Sequence, residues 1–194
     1  MTFRNWMLAG LVLASAAANV AHAATAQPGV MLDRSEIGFI SKQMNVPVEG
    51  KFKRFTANVV FDPARLDASR AELSIDMDSI DLGSPMAETE VKRKGWFDTA
   101  NNPRAKFIST GIKNIGPGKF EVSGKLTIKG TTRDIVVPFT MQSAGAAGTI
   151  AEGRFVMKRL DYKIGDGPWA DVGVVADEVE VRIKMALAGK QGVH

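Results

Sequence analysis

Carboxylates are the side chains of this sequence that are best suited to acid–base or metal chemistry. Three of them lie close together in the stretch IDMDSID, as Asp76, Asp78 and Asp81. A calcium loop or a catalytic carboxyl pair could be built from such a group, but the stretch lacks the glycine and the distal glutamate of an EF-hand loop. Asp76 and Asp78 alternate with Ile75 and Met77. This alternation predicts that both carboxylates face solvent from a strand.

Histidine and cysteine, which carry most other catalytic and metal chemistry, are almost missing. The chain has no cysteine, and its two histidines are His22, in the N-terminal segment, and His194, the last residue. Nucleophilic Ser-His or Cys-His pairs, thiol redox motifs and His- or Cys-based metal sites are therefore not expected. The remaining catalytic hypothesis is a hydrolase or isomerase that uses Asp161 or Asp166. We expect instead a protein that is not an enzyme and that needs no metal or cofactor.

The glycines of GDGPW, residues 165–169, could in principle cradle a phosphate group. They do not lie between a strand and a helix, as a phosphate-binding loop requires. They predict a turn.

Residues 1–23 have the features of a secretory signal peptide. Arg4 gives the positive start, WMLAGLVLASAAA the apolar stretch, and AHA the site for cleavage after Ala23. The apolar stretch is shorter than the roughly 20 residues that span a bilayer. We predict a protein exported to the periplasm, with residues 24–194 as one domain.

The charge of the chain argues against a nucleic-acid partner. The formal net charge of +4 becomes +3 once Arg4 is removed with the signal peptide. Lysine and arginine are scattered among acidic residues and form no dense basic stripe, which binding to a phosphate backbone requires.

Alternation of apolar and polar residues is the dominant pattern in the rest of the chain. From Glu178 onward, Val179, Val181 and Ile183 share one face, which is typical of a half-buried strand. The same period of two recurs in KFEVSGKLTIKG and in IVVPFTM. Further candidate strands are residues 30–40, 49–61, 70–78, 104–115 and 149–160. About eight strands therefore follow one another, joined by short links rich in glycine and proline.

Strands that follow one another without regular intervening helices favour an antiparallel sheet. Such a sheet can close into a barrel or fold into a sandwich, and the periodicity leaves both open. Closure removes unprotected strand edges, which favours the barrel. We therefore predict an all-β fold, an eight-stranded antiparallel barrel whose interior is filled by side chains or holds one ligand.

One short helix is predicted near residues 84–94, in the stretch GSPMAETEVKRKG. Ser84 suits the N-cap and Pro85 the first helical position, and acidic residues come early and basic residues late. Trp96 and Phe97 follow the helix directly.

Several motifs resemble those of the YceI family. The resemblance extends from about Met31 to Leu187 and rests on the order and spacing of the motifs together. They are VEGKFKRFTANVVFD (48–62), GWFDTANNPRAKFIS (95–109), VSGKLTIKGTTRDIVVPF (122–139), MKRLDYKIGDG (157–167) and VADEVEVRIKMAL (175–187). Where the family often carries Asp-x-x-His-Ser in its first strand, this chain reads MLDRSEIGF, so a ligand contact made by that histidine is not expected here.

The resemblance implies an exported, lipocalin-like barrel that binds a polyisoprenoid or a similar long-chain amphiphile in an apolar tunnel. The predicted ligand-binding residues are Ile37, Phe39, Phe52, Trp96, Phe97, Phe107, Leu126, Ile128, Val137, Phe139, Arg159 and Trp169. Phe52 and Phe55 have opposite parity in their strand, so without a bulge only one of them can face inward. The cations expected to attract a phosphate or quinone head group are Lys42, Arg93, Lys94 and Arg159.

The sequence allows two alternatives for the aromatic pair and two for the barrel. Trp96 and Phe97 either contact the bound chain or only plug the end of the barrel. The whole barrel is alternatively a packed scaffold without a ligand, serving as an interaction or stress-response module that binds a partner through exposed residues such as Lys92 and Arg93. A homodimer and transient membrane contact are both compatible with the resemblance.

Overall fold

The strands of the protein form one antiparallel sheet. A computed structural model describes residues 29–189, so the predicted signal peptide lies outside the described residues. The strands are β1 (Glu36–Gln43), β2 (Val46–Phe52), β3 (Phe55–Val60), β4 (Arg70–Asp76), β5 (Ile80–Asp81), β6 (Arg104–Gly116), β7 (Lys119–Ile128), β8 (Thr131–Ser143), β9 (Thr149–Lys158) and β10 (Glu178–Leu187). Their order in the sheet is β3-β4-β6-β7-β8-β9-β10-β1-β2-β5.

Bends in the chain separate β2 from β3 and β4 from β5. β2 and β3 are interrupted only at Lys53 and Arg54, and β4 and β5 only by a 3-10 turn at Met77–Ser79. Because β2 pairs with β5 and β3 pairs with β4, the two ends of the sheet meet and it curls into a barrel. The structure thus has ten strand segments where the sequence predicts about eight strands, because the chain bends between β2 and β3 and between β4 and β5. The all-β, lipocalin-like fold is confirmed.

The barrel has two different ends. At one end, aromatic side chains fill the interior: the ring of Phe61 meets that of Phe120 edge-on at 5.0 Å, and Phe120 stacks on Phe139 at 5.5 Å. Phe61 and Phe120 are buried. We call this the aromatic end.

The opposite end carries the helix α1 (Pro85–Val91), and we call it the helix end. Ser84 caps α1, its Oγ accepting the N–H of Ala87, and Pro85 occupies the first turn, as the sequence predicts. The helix ends at Val91, earlier than expected, because the Val91 carbonyl accepts the N–H of Phe97 and folds the chain back. Among residues 29–189, no helix is long and apolar enough to cross a membrane.

Candidate ligand-binding site

The inward faces of the strands surround a cavity of about 890 Å³. Its position follows from the period of two, which aims alternate side chains of every strand into the barrel. All twelve residues predicted to bind a ligand line this cavity, and contact with a ligand remains a prediction for each of them. They are Ile37, Phe39, Phe52, Trp96, Phe97, Phe107, Leu126, Ile128, Val137, Phe139, Arg159 and Trp169.

Polarity is distributed unevenly along the cavity. Most of the wall is aliphatic or aromatic. The polar side chains on the lining belong to β1, to the segment of α1 and to the loop after β9; they are Ser41, Gln43, Ser84, Thr89, Glu90, Arg93 and Arg159. All of them lie toward the helix end, so the cavity combines a long apolar interior with a polar mouth.

Two glycines keep the interior open. A Cβ atom at Gly124 would lie 2.5 Å from the ring of Phe107, and one at Gly50 would overlap the ring of Phe39. Each ring therefore occupies the space that a side chain on the neighbouring strand would fill. Because the rings lie against the wall in this way, they take up less of the interior.

The bend between β2 and β3 resolves the parity of Phe52 and Phe55. The register shifts between the pairs Phe52–Ile80 and Phe55–Ile75, so both phenylalanines pack against the core. Phe52 lines the cavity, as predicted.

Trp96 and Phe97 form the cavity wall at the helix end. The ring of Trp96 lies 5.4 Å from that of Trp169 and 5.9 Å from the guanidinium carbon of Arg159, and Phe97 meets Phe52 edge-on at 6.4 Å. The indole Nε1 of Trp96 is buried without a hydrogen-bond partner in the structure. Trp96 therefore carries a buried, unpaired donor at this end of the barrel, which its ring also narrows.

Arg159 holds together the loop that follows β9. Its side chain is only 2% exposed. The guanidinium donates to the backbone carbonyls of Ile164, Gly165, Trp169, Val175 and Ala176, at 2.6 to 3.1 Å. A guanidinium has five N–H groups, so all of them are used, and attraction of a head group by Arg159 rests on its charge alone. Burial lowers the pKa of Arg159, and the negative charge of Asp177 opposes this shift.

Sequence reasoning did not find this role of Arg159. The five carbonyls are spread along residues 164–176 and converge only in the folded loop. The one local signal was the GDGPW stretch, which forms the predicted turn with Gly165 and Gly167 at φ of 68° and 61°.

The other cations predicted to attract a head group have different surroundings. Arg93 lines the mouth and forms an ion pair with Glu90 at 3.0 Å. Lys42 and Lys94 are exposed and lie outside the set of residues that line the cavity.

The carboxylates of IDMDSID have structural partners. Asp76 accepts hydrogen bonds from Arg54 and from the N–H of Asp78; although burial opposes the shift, these bonds lower the pKa of Asp76. The N–H of Gly83 and the ammonium of Lys53 lower the pKa of Asp81. Asp78 is exposed as expected, whereas Asp76 is half-buried because the strand ends there in a 3-10 turn.

The described part of the chain offers no metal site. Within residues 29–189, no three acidic, histidine or cysteine side chains are grouped closely enough to hold a metal ion. Asp161 and Asp166, the residues of the catalytic hypothesis, are exposed and do not line the cavity.

A family model described as the YceI-like domain matches residues 30–187 of the chain. Among curated proteins, the chain is 28% identical over 144 residues to a UPF0312 protein of Shewanella denitrificans, a match that covers 71% of this chain and 75% of that protein.

Solved structures show the same fold. BcnA of Burkholderia cenocepacia is 42% identical, with a TM-score of 0.78, and the match covers 82% of this chain and 99% of BcnA. A polyisoprenoid binding domain from Saccharophagus degradans has a TM-score of 0.64 and 18% identity, and the match covers 84% of this chain and 98% of that domain.

Proposed function

Because this chain belongs to the YceI family, whose model spans residues 30–187, we propose that it binds a polyisoprenoid or a similar long-chain amphiphile. The observation that carries the proposal is the cavity of about 890 Å³, apolar along its length and polar at one end. The apolar tail lies inside the barrel, and the head group, a quinone or a phosphate, lies at the helix end.

Burial of the tail supplies the affinity. Apolar surface that leaves water gains about 25 cal/mol per Å². About 300 Å² of buried tail thus contributes roughly 7 kcal/mol before the costs of ordering the chain. The volume of the cavity lies in the range of roughly 300–1,000 Å³ that is usual for small-molecule sites. No bond needs to be made or broken for this function, so the protein acts as a carrier or a store rather than as an enzyme.

Trp96 supplies a polar contact within the wall. A buried N–H without a partner costs about 1–3 kcal/mol, and a ligand acceptor would recover part of this cost. The carbonyl oxygen of a quinone and the oxygen of a prenyl phosphate are both suitable acceptors. In this proposal the ring of Trp96 turns when the ligand binds, so that its indole N–H meets the head group. The charges at the mouth add little directed bonding.

The N-terminal segment supports a location outside the cytoplasm. Residues 1–23 have the charge, the apolar stretch and the small-residue cleavage site of a secretory signal. In our proposal the mature protein works in the periplasm, where a lipid that crosses the aqueous space needs a shielded apolar compartment.

Intrinsic fluorescence tests this function directly. Of the three tryptophans, Trp6 lies in the predicted signal peptide, and Trp96 and Trp169 both line the cavity. A quinone with a short prenyl tail, added to the mature protein, should quench this fluorescence saturably at one ligand per chain.

A pair of matched variants separates cavity binding from surface binding. Ala151→Phe places a ring inside the cavity, whereas Val156→Phe places the same ring on the outer face of β9. We expect the first to weaken binding at least tenfold and the second to leave it unchanged. Equal affinities for both variants, or no saturable quenching, would favour a packed scaffold that binds no lipid.

A further inference from the structure

Apolar side chains surround the mouth of the cavity and point into water. We define the apolar rim as Met44, Val46, Met86, Val172 and Val174. Met86 on α1 is 83% exposed, and Met44 and Val46 in the β1–β2 hairpin are 68% and 63% exposed. These three are the most exposed of the large apolar side chains in residues 29–189, so their position around the opening calls for an explanation.

The apolar rim is assembled from three separate parts of the chain. The N–H of Met44 donates to the carbonyl of Val174 at 2.8 Å, which joins the β1–β2 hairpin to the loop after β9. Gln43 and Val175, next to these residues, line the cavity, and so does Met86 on α1. The rim is therefore continuous with the apolar interior of the barrel.

The tip of the hairpin holds an exposed methionine in an unfavourable backbone conformation. Met44 and Asn45 form the two-residue turn, with φ of 48° and 65°. Turns of this kind favour asparagine, aspartate and glycine, because positive φ brings a larger side chain close to the backbone. Met44 is thus both strained and exposed to water, which favours a role for its side chain in contact with a partner.

The charges near the apolar rim have both signs. Lys42 and Asp171 are exposed beside it, and Arg93 is paired with Glu90 at the mouth. A mixed pattern gives little attraction to an anionic surface. The partner is therefore selected by apolar contact, and it must accept side chains from three separate segments around an opening.

We propose that the apolar rim docks on the surface of a lipid bilayer, with its side chains inserted among the head groups. A bilayer adapts to separate protruding side chains, whereas a protein partner would need a rigid complementary surface. In this orientation the mouth faces the membrane, and a lipid can pass between bilayer and cavity without crossing water. Docking itself requires only the rim; the transfer of a lipid rests on the proposed function.

Flotation with phosphatidylcholine vesicles tests the docking. We expect the mature protein to float with the vesicles, and a Met44→Glu, Val46→Glu double variant to reduce the bound fraction at least fivefold. Single Ile115→Glu and Val156→Glu variants serve as controls, since both residues are exposed, at 51% and 59%, on the outside of the barrel. Because the rim carries mixed charges, binding should change less than twofold between about 0.05 and 0.5 M salt.

Three outcomes would overturn the proposal. They are the absence of flotation, equal losses in rim and control variants, and a dimer in analytical ultracentrifugation that the double variant dissociates, which would assign the rim to a second copy of the chain. Met44 and Val46 do not line the cavity. Quinone binding by the double variant without vesicles should therefore be unchanged, so failure of docking and failure of lipid binding are distinguishable.

Discussion

At the scale of single residues, the guanidinium of Arg159 and the indole N–H of Trp96 lie near each other in the barrel and have different roles. Arg159 uses all five N–H groups on backbone carbonyls, whereas the indole N–H of Trp96 has no partner in the described structure. The first is a structural cation, and in our proposal the second pairs with the head group of a ligand. The sequence predicted both residues at the site. Their different roles could not be predicted, because they depend on where the folded loop places its backbone carbonyls.

Replacement of Trp96 by phenylalanine should separate head-group recognition from tail burial. The substitution removes the unpaired donor and keeps most of the ring, so stability should stay within about 1 kcal/mol of the parent. Affinity for a prenyl quinone, followed through Trp169 fluorescence, should fall about five- to tenfold. Affinity for a prenyl hydrocarbon without a head group should not change, and an equal loss for both ligands would show that the indole N–H makes no specific contact.

Replacement of Arg159 by lysine should destabilise the protein. An ammonium has three N–H donors on one atom and cannot reach five carbonyls at once. We expect a loss of at least about 3 kcal/mol in the free energy of unfolding, measured in urea. Arg154→Lys, on the exposed face of β9, is the control and should change stability by less than about 0.5 kcal/mol. A small effect of Arg159→Lys would contradict the structural role.

At the scale of elements, the alternation of residues predicted the strands and the capping signals predicted α1. The bends at Lys53–Arg54 and Met77–Ser79 escaped prediction, because they depend on how two strands curve together around a closed sheet rather than on a local pattern. The same limit applies to Phe52 and Phe55, which share the core only because of the first bend. Local periodicity thus predicts the strands, whereas the positions of the two bends depend on how the sheet closes into a barrel.

Gly124, beneath the ring of Phe107, should not tolerate even the methyl group of alanine. Gly124→Ala forces the ring away from the wall and also presses on the carbonyl oxygen of Ile108, which would lie 2.6 Å from the new Cβ. We expect a loss of about 1–3 kcal/mol in stability together with a smaller cavity. Gly111→Ala is the matched control, because a Cβ there meets no atom within 4 Å. Thermal unfolding and the quinone titration measure the two consequences. If both variants behave alike, the packing of Phe107 on Gly124 does not set the width of the cavity.

At the scale of the whole molecule, the barrel carries a cluster of aromatic rings at one end and its polar lining groups at the helix end. In our proposal, this asymmetry gives a bound amphiphile one direction, with its tail toward Phe61 and its head toward Trp96. The sequence predicted an apolar interior, and the family resemblance predicted a lipid. Which end carries the aromatic cluster could not be predicted, because Phe61, just after β3, reaches the cross-strand pair Phe120–Phe139 only in the closed barrel.

Mass spectrometry of an organic extract is the most direct test of lipid binding. The mature protein would be purified from its native host without detergent, beside the Ala151→Phe variant. We predict a prenyl quinone or prenyl phosphate at close to one molecule per chain, and much less of it in the variant. An empty extract from the parent protein, also after incubation with both lipids, would contradict the account and leave the barrel as a scaffold.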